Sequence, residues 1–264
     1  MPWSSGLGEI RYGFQTILEP MMNCMVLGVL AGLLLSTAAH AESVSVAVAA
    51  NFTKVAEELA PLFKAETGHD VTYSFGATGQ LYTQITQGAP FEVFLAADDV
   101  RPTQAVTEGF GVGGSVFTYA IGALALYSTS IDMADGKAVL EAGAFDKIAI
   151  ADPATAPYGQ AATETIAALG LTDAVTPKLV TGENITQTLQ FVESGNAELG
   201  FVAASQVAGK SGVWIVPANL FEPIRQDAVL LKTGEGNPAA TAYVDFLRSD
   251  AAVVVIEAAG YLVE

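Results

Sequence analysis

Asn51 and Thr78 are the residues whose type and setting could do chemistry in this chain. Each lies in a short neutral stretch, Ala49-Ala50-Asn51-Phe52-Thr53 and Phe75-Gly76-Ala77-Thr78-Gly79, where an alternating apolar run hands over to a helical pattern. Such a junction leaves unpaired backbone N–H groups in the first turn of the helix, and two junctions side by side aim those groups at one point. The chemistry is anion capture without any basic side chain. Taken singly, each residue also reads as an ordinary helix N-cap.

The elements that must position them follow from periodicity. Val44, Val46 and Val48 alternate as a strand that ends at Asn51, and Phe52, Val55, Leu59, Leu62 and Phe63 share one face of the next helix, which Gly68 stops. Val71, Tyr73 and Phe75 form a second strand, Leu81, Tyr82 and Ile85 begin a second helix, and Phe91 to Ala97 is a third strand ending at Asp98-Asp99. Three alternations of strand and helix indicate an α/β domain with a largely parallel sheet, whose ligands bind at the carboxyl ends of the strands. Asn51, Thr78 and Asp98 all fall at those ends.

A flexible Gly111-Val112-Gly113-Gly114 then precedes an apolar segment, Val116 to Tyr127, long enough to cross into a second domain. There Lys147 to Ala151 is a strand, Tyr158-Gly159-Gln160 opens a helix over Ala161 to Leu169, Leu179 to Thr181 is a short strand, Ile185 to Ser194 a helix and Leu199 to Ala203 a strand. Ala228 to Leu231 reads as a return strand. Two closing helices, Pro238 to Arg248 and Ala251 to Ala259, are expected to pack on the first domain.

Composition narrows the function. The chain has 264 residues and a net charge of -17, from 11 Lys and Arg against 28 Asp and Glu, which leaves no broad basic surface for nucleic acid. A hydrophobic content of 51% with 15% charged residues supplies a packed core, and the length suits two domains. Met25 to Leu35 is apolar but short for a bilayer span and leads into Ala39-His40-Ala41, so residues 1–41 read as a signal peptide cleaved after Ala41. The Met21-Met22 pair just before the apolar run marks a second possible start. Cys24 precedes the apolar run, which disfavours a lipoprotein.

Cleavage leaves 10 basic and 26 acidic residues, a net charge of -16, no cysteine, and His69 as the sole histidine. Thiol catalysis, disulfides and Cys/His metal clusters are thereby excluded from the mature chain. His69 sits in Thr67-Gly68-His69-Asp70, a turn before a strand, and reads as an exposed turn residue.

Five ordered blocks carry a resemblance: Val46-Ala-Val-Ala-Ala-Asn-Phe-Thr, Ser74-Phe-Gly-Ala-Thr-Gly, Gly88-Ala-Pro-Phe-Glu-Val-Phe-Leu-Ala-Ala-Asp, Ala151-Asp-Pro-Ala-Thr-Ala-Pro-Tyr-Gly and Gly200-Phe-Val-Ala-Ala-Ser-Gln. Over essentially the whole mature chain the sequence resembles the periplasmic molybdate-binding proteins of molybdate ABC importers. The resemblance implies an α/β, two-domain periplasmic-binding-protein fold of type II, each domain a mostly parallel sheet flanked by helices, hinged by two crossing strands. It divides the mature chain into a discontinuous domain 1, residues 42–118 and 224–264, and a domain 2, residues 119–223.

Its implied function is capture of bare molybdate, or tungstate, in the interdomain cleft, and release to the transmembrane subunits of an ABC permease. A non-enzymatic monomer in the periplasm follows, with no cofactor and no nucleic-acid partner. Carried over by position, Asn51 and Thr78 bind the oxyanion from domain 1, and the backbone N–H groups of Tyr158 and Ile185 bind it from domain 2. Molybdenum is then held only through its oxygens. Some members add a Tyr hydroxyl from the strand ending at Ala203; this chain has alanine there, and either the Tyr158 hydroxyl replaces it or the Tyr158 ring simply lines the cleft.

The physics admits an anion despite the net charge, because screening acts over roughly 8 Å at physiological ionic strength. Charge-assisted hydrogen bonds contribute about 1.5–3 kcal/mol each, so about five to seven donors supply roughly 10–15 kcal/mol before the cost of association. A donor-only shell suits an oxyanion without a proton and disfavours hydrogen phosphate. Sulfate is the competing ligand on the same fold; ferric ion is disfavoured, since no adjacent tyrosine pair is present. A secreted hydrolase using Asp98 and Asp99 is the competing enzyme reading, although capping and hinge contacts suit those residues better. Arg101 and Arg225 could guard the cleft, but they are read as solvated surface residues.

Overall fold

The computed structural model describes residues 2–3 and 41–264, so all but residues 2, 3 and 41 of the expected signal peptide lie outside the described residues. Two five-stranded sheets organise the rest. The first contains β1 (Ser43–Ala49), β2 (Asp70–Gly76), β3 (Val93–Leu95), β4 (Phe117–Gly122) and β10 (Ile224–Leu230), in the order β2-β1-β3-β10-β4. The second contains β5 (Leu124–Tyr127), β6 (Ile148–Ala151), β7 (Leu179–Gly182), β8 (Leu199–Ala203) and β9 (Val213–Ile215), in the order β7-β6-β8-β5-β9. The orders correspond position by position. In both, three parallel strands are followed by one antiparallel strand that joins them to the edge.

Nine helices complete the described chain: α1 (Thr53–Thr67), α2 (Thr78–Thr86), α3 (Val100–Thr107), α4 (Gly136–Ala142), α5 (Pro157–Ala168), α6 (Thr172–Val175), α7 (Ile185–Glu193), α8 (Pro238–Phe246) and α9 (Asp250–Ala258). β1 is covered on both faces, which is why its Val44, Val46, Ala47 and Val48 are all fully buried. Beneath α1, Phe63 packs edge-on to Tyr243 of α8 at 5.1 Å and beside Phe246 at 5.5 Å. The two closing helices therefore do pack on the first sheet's side, as expected. The second core gathers Leu124, Leu126, Ile148, Ile150 and Phe201.

Register is what places the site. β1 and β2 pair in parallel to their last residues, with Ala49 opposite Gly76, so Asn51 and Thr78 each lie two residues past the same level. β6 and β7 do the same in the second sheet, with Ala151 opposite Gly182. The apolar run Val116 to Tyr127 splits at Gly122 into β4 and β5 and so crosses from one sheet to the other; the chain returns between β9 and β10.

The return strand begins at Ile224, four residues before the apolar pattern suggests. Arg225, Gln226 and Asp227 hide it, because their polar side chains are satisfied by partners distant in sequence. No described helix is long and apolar enough to cross a membrane.

Candidate functional site

A cavity lies between the ends of the two sheets, lined from one side by Ala50, Asn51 and Thr78 and from the other by Tyr158, Asn184 and Ile185. It offers about 10 Å³ to the centre of a water-sized molecule, and no Asp, Glu, Lys, Arg or His lines it. Larger hollows exist: one of about 300 Å³ beside Lys54, Glu57 and Leu189, and one of about 210 Å³ beside Asp98, Glu164 and Glu222. Both carry charged side chains, and of Asn51, Thr78, Tyr158 and Ile185 the first holds only Asn51 and the second none. Size and chemistry disagree here, and the chemistry selects the small cavity.

What marks it is a set of orphaned donors. Among the described residues, the backbone N–H groups of Asn51, Thr78, Tyr158 and Ile185 form no hydrogen bond, although the four residues are 4%, 1%, 2% and 3% exposed. Buried N–H groups without partners are rare, because each forfeits about 1–3 kcal/mol of hydration. Four around one hollow indicate a ligand rich in acceptors.

Each wall has its own construction. Asn51 lies in a single 3-10 turn (Ala50–Phe52) set by Phe52, which is fully buried and packs edge-on to Tyr119 at 4.9 Å and Tyr261 at 5.5 Å. The Asn51 amide nitrogen donates to Gln226 Oε1 at 2.8 Å and to the Tyr261 hydroxyl at 2.9 Å, so both of its protons are engaged away from the cavity. Tyr261 in turn donates to the Asn51 carbonyl at 3.0 Å. Asn51 thus offers the cavity its backbone N–H.

Thr78 is not a cap. Ala77 holds that position, and the Thr78 hydroxyl accepts from the Ala97 N–H at 3.0 Å, which leaves its own proton free for the cavity. The capping reading of Asn51 and Thr78 fails for both, since neither side chain bonds an N–H of its own helix.

Across the cavity, Pro157 occupies the first position of α5, which preorganises the turn and leaves the Tyr158 N–H foremost. Gly159 permits this: a Cβ there would stand 2.1 Å from the Ala151 carbonyl oxygen. Asn184 caps α7, its side chain accepting from the N–H groups of Thr186 and Gln187 at 3.0 Å each, so the Ile185 N–H is left to the cavity. The Tyr158 hydroxyl accepts from Gln226 Nε2 at 3.1 Å. Burial, first of all, raises Tyr158, Tyr119 and Tyr261 above the usual phenol range, so all three are neutral at physiological pH.

The walls touch. Gly79 N–H donates to the Thr155 carbonyl at 2.8 Å, the Thr186 hydroxyl to the Ala50 carbonyl at 3.3 Å, and Ser205 shares a 2.9 Å bond with Tyr261. These three bonds join the two walls beside the cavity.

The chain matches the family described as bacterial extracellular solute-binding protein over residues 44–262. It is 53% identical to the molybdate-binding protein ModA of Rhodobacter capsulatus over 232 residues, spanning 87% of this chain and 92% of that one. Identity is 54% to ModA of Azotobacter vinelandii, over 86% and 93% of the two chains. The chain belongs to the molybdate-binding branch of the extracellular solute-binding proteins. The solved periplasmic molybdate-binding protein of Azotobacter vinelandii superposes with a TM-score of 0.78 at 38% identity, over 84% of this chain and 99% of that one. The fold is accordingly the two-domain periplasmic-binding-protein fold, with β4–β5 and β9–β10 as its two crossings.

Within that family fold, Asp98 and Asp99 lie off the cavity. Asp98 accepts from the Arg101 N–H at 2.8 Å and pairs with the Arg101 guanidinium, while Asp99 immediately precedes α3. Arg101 is correspondingly more than a solvated surface residue, since its guanidinium also reaches the Ala154 carbonyl across the cleft at 3.3 Å. Arg225 pairs with Glu264 and donates to Thr118. Ala203 is fully buried and brings no hydroxyl. Gln226, Tyr119, Tyr261 and Asn184 escaped the sequence reading; only the Asn184-Ile185 step, a cap residue before a helical run, carried a local signal.

Proposed function

We propose that the chain captures molybdate, and tungstate with it, in the cavity between its two sheets, holding the oxyanion by the N–H groups of Asn51, Thr78, Tyr158 and Ile185 and the Thr78 hydroxyl. One observation carries the reading: buried donors without partners surround a cavity free of formal charge. Five charge-assisted bonds of about 1.5–3 kcal/mol each outweigh the association cost, enough for submicromolar binding. The names of the relatives support molybdate. A donor shell without a basic or acidic side chain favours an oxyanion that carries no proton.

The two lobes, one around each sheet, act as domains that close about the β4–β5 and β9–β10 crossings. Both half-sites come from one chain, which supports action as a monomer. The protein works in the periplasm, after loss of residues 1–41, and delivers its oxyanion to an ABC importer. It performs no catalysis: the cavity lining offers no nucleophile paired with a base, and its one phenol is held neutral.

Titration calorimetry with molybdate, tungstate, sulfate, phosphate and chromate tests the reading. Tight binding of molybdate and tungstate with little response to sulfate is expected. Equal affinity for sulfate would remove the selectivity, and no response to any oxyanion would remove the function.

A further inference from the structure

Gln226 is fully buried in β10, next to an irregularity in the β10–β4 pairing between Gln226 and Asp227. A buried amide is tolerated only when its polar atoms find partners, and a bulge is a common device for re-aiming a side chain. The partners are informative. Gln226 Oε1 accepts from Asn51 Nδ2 at 2.8 Å and lies 3.2 Å from the Tyr119 hydroxyl, while Nε2 donates to the Tyr158 hydroxyl at 3.1 Å. One amide therefore binds Asn51 on one wall of the cavity and Tyr158 on the other.

We infer that Gln226 is the positioning residue that couples the two half-sites, forming its bond to Tyr158 only as the lobes close and thereby setting how long the oxyanion is retained. The inference rests on the proposed oxyanion reading of the cavity. A merely structural amide would be satisfied within its own lobe, as Oε1 is by Asn51 and Tyr119. Nε2 instead crosses the cleft. The approach is tight there, because a Cβ on Gly122 would stand 2.1 Å from the Tyr158 hydroxyl and 2.6 Å from Gln226 Nε2. Parting of the lobes breaks this bond and leaves a buried donor and a buried hydroxyl to be rehydrated. Ligand contacts and the Gln226–Tyr158 bond thus form together, and each stabilises the closure that the other needs.

Molybdate titration and stopped-flow dissociation on the wild type, Gln226→Met, Tyr158→Phe and the double variant test this. Gln226→Met is expected to lose about 10–100-fold in affinity, mostly through faster dissociation. Tyr158→Phe, which deletes only the hydroxyl, is expected to quicken dissociation as well, and the double variant to be no worse than Gln226→Met alone. X-ray scattering of the ligand-saturated Gln226→Met protein should show a larger radius of gyration than the saturated wild type. Binding by Gln226→Met within twofold of wild type would overturn the inference, as would losses that add in the double variant. If Gln226→Met fails to fold, unchanged dissociation in Tyr158→Phe is sufficient to overturn it. A wild type that binds no oxyanion would refute the cavity reading itself, a separate outcome.

Discussion

In the first half of the cleft the donors of Asn51 and Thr78 are fixed by residues distant in sequence, whereas in the second half those of Tyr158 and Ile185 are fixed by their own helices. Asn51 depends on Gln226 and Tyr261, 175 and 210 positions away. Ile185 depends on Asn184, its neighbour, and Tyr158 on Pro157 and Gly159. The two sheets share one strand order, so the difference lies in the means of support and not in the architecture. Both kinds of support lie within one lobe, but that of the first half runs through β10 and the C-terminus. On the proposed oxyanion reading, the second half is a receptor surface built from its local sequence, and the first is the half that depends on tertiary packing.

The largest effect is expected from Asn51→Asp, which places an anion beside the cavity and removes the donor to Gln226. Calorimetry should show molybdate binding reduced by about 1,000-fold or more, while the circular dichroism of the ligand-free protein stays native. Unchanged affinity would take Asn51 out of the site.

Ile185→Pro attacks the other half by backbone alone. Proline is accepted at the first position of a helix, and Asn184 is already extended, so α7 should persist without the N–H. Loss of one charge-assisted bond predicts about a 10–150-fold rise in Kd. An equal or larger loss than in Asn51→Asp would invert the comparison.

Thr78→Val should weaken binding by about 10-fold and lower the melting temperature, because the Ala97 N–H loses its acceptor; Thr78→Ser should restore both. Separate losses of affinity and stability would show that the hydroxyl serves the cavity and the sheet at once.

The smallest effect concerns the hinge strand. Burial, the leading cause, raises the Asp227 carboxyl above its ordinary 3.8, against the opposing hydrogen bond from Thr118. Folding therefore favours the protonated form: this stabilisation is complete below about pH 3.8 and fades as pH rises through the higher folded value. At neutral pH the buried carboxylate is a burden, and Asp227→Asn should raise the melting temperature by no more than about 2 °C, with the gain vanishing in acid. A lowered melting temperature at pH 7 would show that the carboxylate is needed beside Arg225.

Legibility followed the range of the interactions. The alternation of Val44, Val46 and Val48, the apolar face of α1 and the apolar run Val116 to Tyr127 are consequences of period and burial, which a sequence displays; the split of that run at Gly122 is not. Asn51, Thr78, Tyr158 and Ile185 were all visible as strand-to-helix junctions, and the structure brings the four around one cavity. The cap reading open to Asn51 and Thr78 taken singly does not hold, because capping is judged locally while their side chains answer to Gln226, Tyr261 and Ala97. The start of β10 was hidden for the same reason: Gln226 and Asp227 are polar residues satisfied by distant partners, and periodicity counts them as exposed.

By itself the sequence determined that the chain folds as paired α/β units, that it is acidic without a broad basic surface, and that neutral junctions end its strands. Those properties reside in residue type and short-range spacing. Only the tertiary structure decided which N–H groups are left without partners, that the Asn51 amide turns away from the cavity, and that Gln226 joins the two walls. The reason is physical: a hydrogen bond is fixed by distance and direction, and between residues some two hundred positions apart these exist only once the sheets have packed.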